Sequence, residues 1–121
     1  MRIFKNTWFS RFARKEGIED GELKVIVNEV LEADLADADY GGGVYKVRIA
    51  RPGEGKSGGY RVIVLFKNRE RTFFVYGFAK SGRDNLDQKE VRHYKELAKD
   101  HLNLTDAVIK NALQSGKFVE I

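Results

Sequence analysis

The 121-residue chain contains no cysteine, a single proline and a single tryptophan. Without cysteine, neither a disulfide scaffold nor a thiolate metal site can form. No apolar run approaches the ~20 residues of a membrane-spanning helix, and Met1 to Arg14 lacks the apolar stretch of a signal peptide. A hydrophobic content of 42% with 12% aromatics excludes a disordered chain. The expectation is one domain, residues 1–121, in the cytoplasm, without a membrane partner.

Charge is present in excess and unevenly placed. The net charge is +4. Residues 1–17 carry five basic and one acidic side chain, whereas residues 18–40 carry one basic and eight acidic. Residues 44–83 carry ten basic and two acidic, and residues 84–121 six and seven. A field segregated in this way steers a polyanion toward one face and away from another.

The apolar period predicts strand, two helices, three strands, two helices and a last strand. Arg2 to Phe4 reads as a strand; Trp8, Phe9 and Phe12 follow at helical spacing and Gly17 ends that helix. Asp20 is the expected N-cap of a second helix whose stripe is Leu23, Ile26, Val27, Val30, Leu31 and Leu35. Glu22, Glu29 and Glu32 fall off that stripe and predict an acidic outer wall. Gly41-Gly42-Gly43 is a stop, after which the period becomes 2 over Val44–Ala50, Tyr60–Lys67 and Arg71–Ala79. Arg51 to Gly59, with four glycines and the proline, reads as a mobile loop. Helical spacing returns from Leu86, Thr105 is an expected N-cap, and Phe118–Ile121 an edge strand. The fold class is α+β: a central antiparallel β-sheet, an N-terminal helical hairpin, and a C-terminal helical extension over about 86–121.

Tyr45, Val47 and Ile49 share one face of their strand, Lys46 and Arg48 the other, which is the pattern of a half-solvated sheet. Lys46, Arg48, Arg51, Lys56, Arg61, Lys80 and Arg83 are all positive, with few carboxylates between them, and Tyr60, Tyr76 and Phe78 are interleaved. Each aromatic alone fits core packing; together with the cations they fit single-stranded RNA, bases on rings and phosphates on cations. No basic recognition helix is present to favour a duplex. Ala50 to Ser57 falls one residue short of a P-loop and runs toward a strand instead of a helix. His93 and His101, eight apart, read as solvated helix histidines and not as zinc ligands.

Three ordered segments resemble the RelE toxin family: Val44-Tyr45-Lys46-Val47-Arg48-Ile49, Gly59-Tyr60-Arg61-Val62-Ile63, and Val75 to Leu86 with its F-A-K-x-x-R-x-N-L run. The resemblance covers most of the chain. It implies a RelE-like fold and a ribosome-dependent, metal-independent mRNA endoribonuclease without a cofactor. It also implies a cognate antitoxin, often a helix-turn-helix protein, that covers the basic face, with the ribosome and mRNA as further partners. Lys46, Arg48 and Arg61 match cationic positions that the family uses at the scissile phosphate. Ser81 stands where the best-known members place a catalytic arginine and Asp87 where they place a tyrosine, so Lys80 and Arg83 supply that charge or the acid and base are assigned differently. Asn85 falls in the same segment and joins the RNA-binding set. Gyrase-inhibiting relatives share the fold, so a non-catalytic binder and an RNA-binding module without chemistry stay open.

If the chain is a nuclease, the RNA 2′-hydroxyl attacks phosphorus, leaving a 2′,3′-cyclic phosphate and a 5′-hydroxyl. The reaction needs a base, an acid and positive charge on the nonbridging oxygens. A lysine crowded by cations has a lowered pKa, which makes Lys46 the first choice as base, Lys80 the second and Asp84 a third. Arg48 and Arg61 are the expected phosphate clamps, and Arg83 would place the acid. Arg51 and Lys56 either grip RNA or only solubilise the loop. The reading requires these cations to converge on one pocket; cations scattered, or locked by carboxylates, would count against it.

Overall fold

A computed structural model describes the backbone of residues 1–51 and 55–121, with side chains described outside 51–58. Strand β1 (Arg2–Asn6) leads into helix α1 (Thr7–Glu16) and then α2 (Asp20–Ile26). Strands β2 (Ala38–Gly41), β3 (Val44–Arg51), β4 (Gly55–Lys67) and β5 (Arg71–Ala79) follow. Helices α3 (Gln88–His101) and α4 (Asp106–Gln114) precede β6 (Phe118–Glu120). The sheet order is β2-β3-β4-β5-β1-β6. The sheet is mixed, because β1 lies parallel to β5 while the other pairs are antiparallel.

Helix starts follow their caps. The Asn6 side-chain oxygen accepts the Phe9 N–H at 2.8 Å and Thr105 Oγ1 that of Val108 at 3.2 Å, each satisfying an orphan donor of the first turn. Glu19, not Asp20, is the N-cap of α2, and its N–H donates to the Glu22 carboxylate. The stripe of α2 then meets a π-helical turn over Val27–Leu31, where Glu32 N–H reaches the Val27 carbonyl. That widened turn rotates the chain, so Leu35, predicted to be apolar stripe, is 67% exposed.

Gly41-Gly42-Gly43 does not merely end the helical region. All three residues have positive φ, and they turn β2 back onto β3, an edge strand that the periodicity did not predict. The loop expected over Arg51–Gly59 is also shorter, since β4 begins at Gly55 and pairs with Arg51, leaving 52–54 outside the described residues.

Both sheet faces are covered. One packs Phe9, Leu23, Val27, Val47, Val62 and Phe74 beneath α1 and α2. The other packs Phe4, Ile63, Leu65, Phe73, Tyr94 and Ile109 beneath α3 and α4. The half-solvated face expected from β3 is therefore confined to its end: Lys46 is 4% exposed and Arg61 fully buried, whereas Arg48 is exposed.

A bulge in β5 decides what reaches that second face. Ile63 pairs with Tyr76 but Val64 with Phe74, so Val75 is the extra residue. Simple alternation would send Tyr76 and Phe78 to the α1 side with Phe74; the bulge returns both to the α3 side. It delivers Gly77 to α1 instead, where a Cβ would lie 2.5 Å from the Phe12 ring.

Candidate functional site

Residues 80–87, which carry no helix or strand, cross the sheet from the end of β5 to the start of α3. Three strands hold them down. From β4, Arg61 Nε donates to Asp84 Oδ1 at 2.6 Å. From β3, Lys46 Nζ donates to the Asp84 carbonyl at 2.8 Å and to Asn85 Oδ1 at 2.5 Å. From β2, the Tyr40 hydroxyl accepts the Leu86 N–H at 3.4 Å and lies 3.5 Å from Asn85 Oδ1.

The electrostatics follow from this geometry. Burial, more than any other cause, pushes the Lys46 ammonium below its ordinary pKa; Arg61 and Arg48 push the same way, and Asp84 and Asp37 oppose them. Lysine lowering by neighbouring cations was the expectation, and desolvation outranks it. Asp84 is held below the usual carboxylate range by the Arg61 hydrogen bond first, then by the charges of Lys46, Arg61 and Lys80. Its side chain is 42% exposed, so an anionic carboxylate covers a buried guanidinium.

Beside this cluster, Arg83 donates to Glu90 and, at 2.8 Å, to the Tyr76 hydroxyl. Its guanidinium lies 4.4 Å from the Phe78 ring centroid. The hydrogen bond from Arg83 is the largest cause lowering Glu90. Arg48, at the outer edge, pairs with Asp37 at 3.4 Å and donates its backbone N–H to the same carboxylate at 2.6 Å. Lys80 is exposed at the end of β5.

The structure thus brings together Lys46, Arg61 and Asn85, with Lys80 acting on Asp84, and places Arg83, Tyr76 and Phe78 beside them. It does not bring Tyr60, which is 3% exposed on the opposite face, under Phe12, with its hydroxyl 2.6 Å from Glu16. Alternation from Arg61 enforces this, because neighbours along a strand point to opposite faces. The side chains of Arg51 and Lys56 lie outside the described residues.

The expected scarcity of carboxylates among the cations is also corrected. Asp37, Asp84 and Glu90 each hold one of the guanidiniums of Arg48, Arg61 and Arg83. Asp37 lies in the acidic stretch 18–40, past the helix whose glutamates predict an outer wall, and Tyr40 in a strand that the periodicity does not predict. Asp87 caps α3, accepting the Glu90 N–H at 2.8 Å, which accounts for an acid at that position without catalysis. His101 is buried, not solvated, against Phe73 and Phe118.

Among the described residues no group of three or more histidine or carboxylate side chains could hold a metal ion, and no helix is long and apolar enough to cross a membrane. Fold and cluster define a small α+β protein whose cations gather beneath one crossing segment. A family model described as RelE toxin of the RelE / RelB toxin–antitoxin system matches residues 1–121. The chain belongs to the RelE toxin family: it is a toxin of a toxin–antitoxin system, and toxins of this kind pair with an antitoxin.

Proposed function

We propose that this toxin is an endoribonuclease that cleaves mRNA on the ribosome and so blocks translation. The observation that carries the reading is the Lys46–Arg61 pair, two buried cations from adjacent strands that both bond Asp84, Arg61 at its partly exposed carboxylate and Lys46 at its backbone carbonyl. Asp84 occupies the place of a phosphate. It lies in a segment without regular structure, and the scissile phosphodiester, carrying the same charge, exchanges with it on Arg61.

With that exchange made, the 2′-oxygen forms a bond to phosphorus and gives its proton to Lys46 Nζ, whose lowered pKa supplies a neutral fraction. The P–O5′ bond breaks, and the departing oxygen takes a proton from the exposed Lys80. Arg48, with its side chain 42% exposed, adds positive charge at the edge. Arg83 is spent on Glu90 and Tyr76 and positions the crossing segment without supplying the acid.

The pairing of three guanidiniums with carboxylates favours a second reading, a non-catalytic inhibitory binder. A purified translation reaction separates the two. Cleaved transcripts bearing 5′-hydroxyl and 2′,3′-cyclic ends, lost with Arg61→Met, support the nuclease. Arrested translation on intact transcripts supports the binder, as does arrested DNA synthesis with translation continuing.

A further inference from the structure

β1 pairs with β5 only as far as Phe74, after which the chain turns at Asn6 into α1. Along that turn Trp8, Arg11, Phe12 and Lys15 line a shallow cleft of about 290 Å³. Trp8, the single tryptophan, is 44% exposed. Its indole stacks on Phe12 at 5.2 Å and 19°, and meets the Tyr76 ring at 4.7 Å. Tyr76 in turn accepts the Arg83 hydrogen bond, so aromatic surface is continuous from the crossing segment around the sheet edge to α1. Arg11 and Lys15 are exposed, and Glu16, the one acid of α1, is turned to the Tyr60 hydroxyl.

We propose that Trp8, Arg11, Phe12 and Lys15 form a subsite for single-stranded RNA, in which a base stacks on Trp8 while Arg11 and Lys15 meet the adjoining phosphates. The proposal rests on the ribonuclease reading and gives nucleotides flanking the scissile bond a place. An acidic peptide would use the cations but gains little from an indole backed by a near-parallel ring. Every base presents a π-face that does. Continuity with the candidate site through Tyr76 favours the same occupant.

The single tryptophan reports its own subsite. The full chain is titrated with a single-stranded RNA whose 2′-hydroxyls are methylated, so that it binds without being cut, and tryptophan fluorescence is followed. Saturable quenching is expected. In Trp8→Ala, binding of the same RNA, read by anisotropy of a labelled strand, weakens about fivefold or more. The double variant Arg11→Ala/Lys15→Ala, confined to exposed side chains, lowers the slope of log affinity against log salt by about 1.4. The subsite is overturned if polyphosphate quenches at the same concentration, if polyglutamate quenches and RNA does not, or if neither variant alters RNA binding. Because this RNA is uncleavable, failure here leaves the nuclease reading standing, and failure to cleave ordinary mRNA leaves the quenching result intact.

Discussion

Gly77→Ala tests the packing that joins the sheet to α1. An added Cβ would sit 2.5, 2.9 and 3.1 Å from three Phe12 ring atoms, so the ring must move by roughly an ångström to reach ordinary contact. It has little freedom to do so, being packed against Trp8, Phe9 and Tyr60. Overpacking of this kind costs about 1–3 kcal/mol. Replacing glycine in an extended strand returns about 0.4–1 kcal/mol by restricting the unfolded chain. The net loss is about 1–2 kcal/mol, a fall in Tm of roughly 4–8 °C. Urea titration followed by far-ultraviolet circular dichroism measures it, and repeating Gly77→Ala in a Phe12→Ala background supplies the control. There the clash is gone and the alanine becomes neutral or mildly stabilising. An equal cost in both backgrounds would refute the argument, because the strain would then not lie between these two residues.

Cleavage should rise with pH as Lys46 loses its proton, with a midpoint below the ordinary lysine value of 10.5, and Arg48→Met, which removes a neighbouring cation, should move that midpoint upward; a pH-independent rate would contradict Lys46 as base. Burial lowers His101 from 6.5, so the unfolded chain binds its proton more readily and stability falls as pH drops from 6.5 through the folded value. His101→Gln should flatten that part of a Tm-against-pH curve. Asp87→Ala should cost about 1 kcal/mol through the lost cap while leaving cleavage within about twofold, which an acid–base role would not allow.

The sequence was most legible where periodicity was long and caps were explicit. α1, α4 and the bodies of β3, β4 and β5 stand where alternation and the Gly17 and Thr105 signals put them. Short or irregular features escaped. β2 is four residues beside a glycine turn, too brief for a period, and the π turn at Val27–Leu31 has no sequence signature that sets it apart from an ordinary helix. In the candidate site, residue type identified Lys46 and Arg61, because cations on a strand are conspicuous. Their burial was not legible, since it depends on α3 and on the 80–87 crossing, both distant in sequence. Nor were the carboxylate partners: Asp37 lies 11 residues from Arg48 and Asp84 23 from Arg61. Tyr60 was misplaced for the opposite reason, as proximity to Arg61 in sequence means separation across a pleat.

The bulge at Val75 leaves the rest of β5 in the phase of an unbroken ladder. A chain lacking Val75 would pair Tyr76 with Ile63 directly after Phe74 with Val64 and keep Tyr76, Gly77 and Phe78 on their present faces, whereas loss of Gly77 would put Phe78 in its place, against Phe12. Deletion of Val75 should therefore be better tolerated than deletion of its neighbours toward Ala79, and a deletion library read for growth arrest would show that exception.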